Sequence, residues 1–132
     1  PFPVIKGENQ ALLSVSDALI LASGTVALEA CLYQTPMIIA YRGPWLFYLI
    51  YLIVRCIKRV SLPNIIANKS IVPEIIQGDV SVRKISYEIE KLLFDEKYRA
   101  NNIKELGDVK ALLSGKISSK EVAKVIAQAL CD

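Results

Sequence analysis

Ser23, Gly24 and Thr25 stand together at the end of an apolar run, and Glu29 follows four residues after Thr25. Hydroxyls flanking a glycine at the start of a helix are suited to holding an anion. Backbone N–H groups converge there, the helix dipole favours negative charge, and glycine lets a phosphate approach without a side chain in the way. A plain helix cap would use the same residue types. Glu29 moves the balance toward binding, because it is the one charged residue from Ala18 through Tyr41, in a segment otherwise suited to burial. A buried carboxylate must be paired or hydrogen-bonded. On a helix, Thr25 and Glu29 share a face near the open amino-terminal end. A carboxylate there is placed to accept hydrogen bonds from the two hydroxyls of a ribose while the turn holds phosphates. The plainer alternative is a surface glutamate favoured by the helix dipole.

Other chemistries find little support. No Walker-type lysine follows Gly24 and no GxGxxG is present, which argues against an ATPase and a dinucleotide site. Histidine is absent, removing the commonest neutral-pH general base and metal ligand, and no metal site or cofactor is expected. Cys31, Cys56 and Cys131 are odd in number and widely separated, which fits a reduced, cytosolic interior. The net charge of +3 arises from 16 basic and 13 acidic residues spread along the chain, so no nucleic-acid footprint is expected.

The elements that must position this turn follow from hydrophobic rhythm. At 132 residues and 53% hydrophobic content, the chain has the size and core material of one domain, spanning 1–132. Short apolar runs alternate with helix-length segments across the first half, predicting βαβ units on a parallel, Rossmann-like sheet. Pro3 to Ile5 reads as a truncated strand and Asn9 to Ser16 as a short helix. Ala18 to Ala22 reads as a strand covered on both faces, Thr25 to Gln34 as a helix stopped by Pro36, and Met37 to Tyr41 as a second strand. Ser61 to Asn64 reads as a turn, and Ile71 to Gln77 as a short helix with Pro73 in its first turn. Ser81 to Phe94, Lys97 to Leu113 and Ser118 to Leu130 read as amphipathic helices, with Ser118 or Ser119 as a cap and Gly115 as a break. The apolar positions Val82, Ile85, Ile89, Leu92 and Leu93 would face inward, and Lys84, Glu88 and Lys91 outward. The second half is expected to be helical and the first half to carry the sheet.

Gly43 through Val54 carries no charge and includes Trp45, Phe47, Tyr48 and Tyr51, with Arg55, Lys58 and Arg59 closing it. The run falls short of the roughly 20 residues that cross a bilayer as a helix. A buried core helix is one reading of Trp45 to Ile57, and a helix at a membrane surface is the other.

Taken in order, Ser23-Gly24-Thr25, Leu28-Glu29, Pro36-Met37, Tyr41-Arg42, Ser61-Leu62-Pro63-Asn64 and Val72-Pro73-Glu74 with Gln77 resemble the motifs of lipid-A-disaccharide synthases over nearly the whole chain. No single motif is specific, but the ordered combination is. The resemblance implies a glycosyltransferase of two Rossmann-like domains, and this chain looks like the carboxy-terminal, donor-binding one. It implies transfer of 2,3-diacylglucosamine from UDP-2,3-diacylglucosamine to 2,3-diacylglucosamine 1-phosphate, with inversion, giving the β-1,6 lipid A disaccharide and UDP without a metal. Carried over residue by residue, Ser23, Gly24 and Thr25 would hold the diphosphate, Glu29 the ribose, and Asn64 would lie near the nucleotide or donor sugar. Tyr41, Arg42 and Gln77 would line the rim of the cleft, although Arg42 and Gln77 serve equally well as surface residues. The resemblance further implies a cytoplasmic protein at the inner-membrane surface, and a homodimer is compatible with it.

What is missing also follows from the resemblance. The chain opens Pro1-Phe2-Pro3 without methionine or a leader, which reads as a cut through a longer protein. The acceptor-binding amino-terminal domain and the general base for the 6-hydroxyl would lie elsewhere, so no catalytic residue is assigned here and the isolated chain is expected to be inactive. Asp17 and Asp79 carry no mark of that base. Two other readings stay open. One is the donor domain of another UDP-sugar enzyme, such as the muramyl-pentapeptide N-acetylglucosaminyltransferase or a UDP-GlcNAc epimerase. The other is a non-catalytic membrane or subunit-association module built on Trp45 to Ile57.

Overall fold

The computed structural model describes residues 3–44 and 59–114. The apolar Trp45 to Ile57 segment, the Gly115 break and the Ser118 to Leu130 helix lie outside the described residues. Within them, α1 (Asn9–Val15), β1 (Leu19–Leu21), α2 (Thr25–Tyr33), β2 (Met37–Tyr41), α3 (Leu62–Ala67), β3 (Glu74–Ile76), α4 (Val82–Phe94) and α5 (Glu96–Ser114) follow in order. The three strands form one parallel sheet in the order β1-β2-β3, with Leu19 opposite Met37, Ile39 opposite Glu74 and Tyr41 opposite Ile76. This is the α/β, Rossmann-like class that the alternation of apolar runs predicts.

β2 is central, and its sequence shows it: Met37, Ile38 and Ile39 are all fully buried, as a strand covered on both faces requires. Met37 and Ile39 join Leu13, Ala27, Ala30, Cys31, Leu106 and Val109 in the larger core on one face. Ile38 meets Ile75 and Leu92 on the other, with Ile85 and Ile89 of α4 against them. Burying Leu92 and Leu106 completely stabilises the fold by about 1.5–3 kcal/mol each.

Local signals set the joints. α2 ends where Gln34 turns left-handed (φ 57°) and donates its N–H to the carbonyls of Ala30 and Cys31. Pro36 then prevents the helix from resuming before β2. α5 crosses that joint at Gly107, where an added Cβ would stand 2.6 Å from Gln34 Nε2. α4 starts on Ser81, whose hydroxyl accepts from the Lys84 N–H at 3.3 Å.

Several expectations are corrected. Pro3 to Ile5 forms no strand; Val4 and Ile5 are exposed and find no neighbouring strand among the described residues. Ile71 to Gln77 is not a helix but the path into β3, followed by a 3-10 turn over Gln77–Asp79. β-branched Ile71, Val72, Ile75 and Ile76 favour the extended chain, and Pro73, which has no N–H, disfavours helix at the residue before it. Pro73 sits ahead of the strand, where its carbonyl still accepts from the Ile39 N–H at 2.9 Å. The second half therefore carries a strand of the sheet. Ser61 to Asn64 is the beginning of α3, with Ser61 at the cap position and Pro63 in the first turn. β1 is not covered on both faces: it ends the sheet order among the described residues, and Ile20 is 55% exposed. Val82 is also exposed, because it opens α4 ahead of the part that packs on the sheet.

Candidate functional site

All three strands run the same way, so their carboxyl ends lie along one edge, the edge at which open α/β sheets bind ligands. Ser23, Gly24 and Thr25 follow β1, Tyr41 and Arg42 end β2, and Gln77 follows β3. Five strand-end candidates and the start of α2 thus share one edge although the sequence spreads them over more than 50 positions. Gln77 holds a left-handed backbone (φ 54°) that costs a residue with a Cβ roughly 1–2 kcal/mol, with Gly78 beside it.

The turn after β1 is open. Gly24 occupies the cap position of α2 with φ 159° and ψ −169°, and no side chain caps the helix. The N–H groups of Thr25 and Val26 find no protein acceptor among the described residues. A Cβ added at Gly24 would meet none of the described residues within 4 Å. Capping, the plain alternative for Ser23 and Thr25, is thus not what these hydroxyls do. Ser23 Oγ instead donates to the Val60 carbonyl at 3.2 Å, and Thr25 is exposed.

Glu29 departs from its expected setting. It is exposed rather than buried, because α2 turns the small residues Ala27, Ala30 and Cys31 to the core. Thr25 and Glu29, one turn apart, are both exposed. A carboxylate in water needs no internal partner, so burial does not account for this charge.

Asn64 is 1% exposed and its side-chain amide is fully spent. Its Oδ1 accepts from the N–H groups of Ile71 (2.8 Å) and Val72 (2.9 Å). Its Nδ2 donates to the Val72 carbonyl at 2.8 Å and to Glu74 Oε1 at 2.7 Å. Both donors and both acceptor sites of this amide are thus occupied within the protein. Its observed role is to join α3 to β3.

Glu74, which is not among the site candidates, is the hub of that junction. Opposite Ile39 in register, it faces the layer that carries α2 and α3. Its Oε1 accepts from Ser61 N at 2.9 Å, Ser61 Oγ at 2.6 Å and Asn64 Nδ2, and its Oε2 accepts from Val60 N at 3.0 Å. A signal was present: Ser61, Asn64 and Glu74 are polar residues set among Leu62, Pro63, Ile71, Val72 and Ile75, where polar groups must satisfy one another.

A groove of about 670 Å³ lies elsewhere, between the β3 side of the sheet and the α4–α5 hairpin, with Glu74, Glu88, Tyr98 and Asn102 among its walls. None of Ser23, Gly24, Thr25 and Glu29 lines it. Its polar groups are largely matched to each other. Tyr98 donates its hydroxyl to Glu88 Oε2 at 2.9 Å, and Lys91 Nζ lies 3.3 Å from the same oxygen and 3.9 Å from the Tyr98 ring centroid. Burial pushes the Tyr98 phenol well above its ordinary range, and the Glu88 hydrogen bond and charge add to the shift. Cys31 lies buried under α5, its thiol raised to about 11 by burial and drawn back in part by Lys110. Asp17 pairs with Arg99 and Asp79 with Lys84.

Comparison with known proteins agrees with the ordered motifs. A family model described as lipid-A-disaccharide synthetase matches residues 2–130. Curated relatives include the lipid-A-disaccharide synthase of Anaeromyxobacter dehalogenans, 38% identical over 110 residues, covering 83% of this chain and 29% of the relative. That of Psychromonas ingrahamii is 39% identical over 102 residues, covering 77% and 27%, and that of Pseudomonas putida is 34% identical over 107 residues, covering 80% and 28%. The chain spans under a third of the length of these relatives. With the motif order, the parallel sheet and a match running almost end to end, the chain belongs to the lipid-A-disaccharide synthetase family.

Proposed function

We propose that residues 1–132 form the donor-binding domain of a lipid-A-disaccharide synthase, an inverting glycosyltransferase whose acceptor-binding domain lies outside this chain. The domain holds UDP-2,3-diacylglucosamine, and the absent amino-terminal domain holds 2,3-diacylglucosamine 1-phosphate. The observation that carries this reading is the start of α2 at the carboxyl edge of the sheet, which no side chain of the described residues caps and where none of them crowds Gly24.

In the reaction, the 6-hydroxyl of the acceptor attacks the anomeric carbon as the bond to UDP breaks. A base in the other domain takes the hydroxyl proton, and the β-phosphate gains the electron pair. This chain's part is to receive that charge. The N–H groups of Thr25 and Val26 and the Thr25 hydroxyl are donors aimed where charge develops, and fixed donors of this kind lower the barrier without reorganising. Glu29, on the same exposed side of α2, accepts from the ribose hydroxyls. Tyr41, Arg42 and Gln77 border the nucleotide along the strand ends. The acylated donor and acceptor bring the enzyme to the inner-membrane surface as a peripheral protein. No helix among the described residues is long and apolar enough to cross a membrane.

Titrating UDP into the protein while following backbone amides tests the reading. Shifts centred on Gly24 to Val26, with a rise in melting temperature at millimolar UDP, support it. Failure of UDP to move either would remove the donor site. A tighter response to UDP-diacylglucosamine than to UDP-GlcNAc separates this reading from other UDP-sugar enzymes.

A further inference from the structure

Ser23, the first residue of the candidate turn, donates its hydroxyl to the carbonyl of Val60. Val60 and Ser61 lie outside any strand, and Ser61 joins α3 through its carbonyl, which accepts from the Ile65 N–H at 3.0 Å. Their own N–H groups and the Ser61 hydroxyl are held by Glu74, which accepts from all three. The chain of contact runs from β3 through the 60–61 segment to the turn after β1, across the width of the sheet. We propose that Glu74 is a positioning residue: it fixes the 60–61 segment, and through the Ser23–Val60 hydrogen bond it sets where Ser23-Gly24-Thr25 stands.

Only a carboxylate satisfies this arrangement. Four donors converge on its two oxygens, and a carboxylate offers acceptors alone. Glutamine would have to present an N–H₂ group to the Val60 N–H or to the Ser61 and Asn64 donors. Aspartate keeps the acceptors but is one methylene short of the 60–61 segment. Two of the four donors come from Ser61, which is fully buried, and one from Asn64, which is 1% exposed. The claim rests on the turn being the UDP site, but the link from Glu74 to the turn is a property of the protein without ligand.

A double-mutant cycle on UDP affinity in the full-length protein tests it. With Ser23 in place, Glu74→Gln is expected to weaken UDP binding about tenfold; in a Ser23→Ala background, where the link is already cut, the loss should be under about twofold. Equal losses in the two backgrounds, or none in either, would overturn the proposal and leave Glu74 as a structural tie for α3. Should Glu74→Gln fail to fold, Ser61→Ala replaces it in the same cycle, removing the 2.6 Å bond while keeping both N–H contacts, with a smaller effect of the same pattern. Should the wild-type protein not bind UDP, the donor reading falls by itself. The amide resonances of Gly24 and Thr25 in ligand-free Glu74→Gln or Ser61→Ala then decide, since their displacement supports the positioning link and their constancy overturns it.

Discussion

The turn at Ser23 to Glu29 and the junction around Asn64 are both polar clusters beside apolar strands, yet they spend their hydrogen bonds in opposite ways. At Asn64 and Glu74 each donor and acceptor meets a protein partner within 3.0 Å, and Asn64 is sealed from solvent. At the turn, among the described residues, helix N–H groups stand without a cap and nothing crowds Gly24, and Thr25 and Glu29 are exposed. A polar group already satisfied inside the protein contributes to folding, whereas one left with capacity is free to bind. Residues from the same set of motifs therefore divide into those whose polar groups are spent inside the protein and those left free to meet the proposed ligand.

That division can be broken most directly at Asn64. Asn64→Leu keeps the branched shape but leaves the Ile71 and Val72 N–H groups buried without an acceptor, and should cost about 3 kcal/mol in a urea unfolding curve. A loss below about 1 kcal/mol would mean that the junction is not the tie it looks to be. At the turn the expectation reverses. Glu29→Ala should leave stability within about 0.5 kcal/mol while weakening UDP binding by about 1–3 kcal/mol, measured by calorimetry. An unchanged affinity would make Glu29 an ordinary surface residue.

The α4–α5 hairpin offers a smaller, pH-dependent test of the satisfied class. The fold favours the neutral Tyr98 phenol, so its contribution is complete below the unfolded pKa near 10 and is lost as pH rises from there toward the higher folded value. Tyr98→Phe should be less stable than the wild type by about 1 kcal/mol at pH 7, with the gap closing above pH 10 in thermal melts. A gap that widens instead would refute the neutral assignment. The smallest expected change is Gln77→Gly, which suits the left-handed backbone and should hold stability within about 1 kcal/mol. Weaker UDP binding in that variant would assign the Gln77 side chain to the open class.

How much of this was legible in the sequence depended on whether a local signal or a distant partner decided each element. β2, α2 and the extent of α4 were legible because unbroken apolar residues, Pro36 and the helical spacing of Ile85, Ile89 and Leu92 are local signals. β3 was not, since Val72-Pro73-Glu74-Ile75 suits the first turn of a helix as well as a strand, and the choice rests on β2 offering a ladder more than 30 residues earlier in the chain. The turn and the strand-end residues were legible as a group through their order. The exposure of Glu29 was hidden because Ala27, Ala30 and Cys31 are too small to announce which side of α2 is buried. The role of Asn64 was hidden for a related reason: an amide within a motif looks the same whether its partners are ligand or backbone.

The Asn64 side chain does one more thing at the start of β3. It pairs with both the N–H and the carbonyl of Val72, as a peptide group of an adjoining strand would. β3 ends the sheet order among the described residues and is flanked by isoleucines, a composition prone to recruiting strands from other molecules. By taking both main-chain groups of Val72, the amide denies an incoming strand its first foothold. A substitution there would therefore show itself in the test tube as loss of solubility on storage, in addition to the loss of stability.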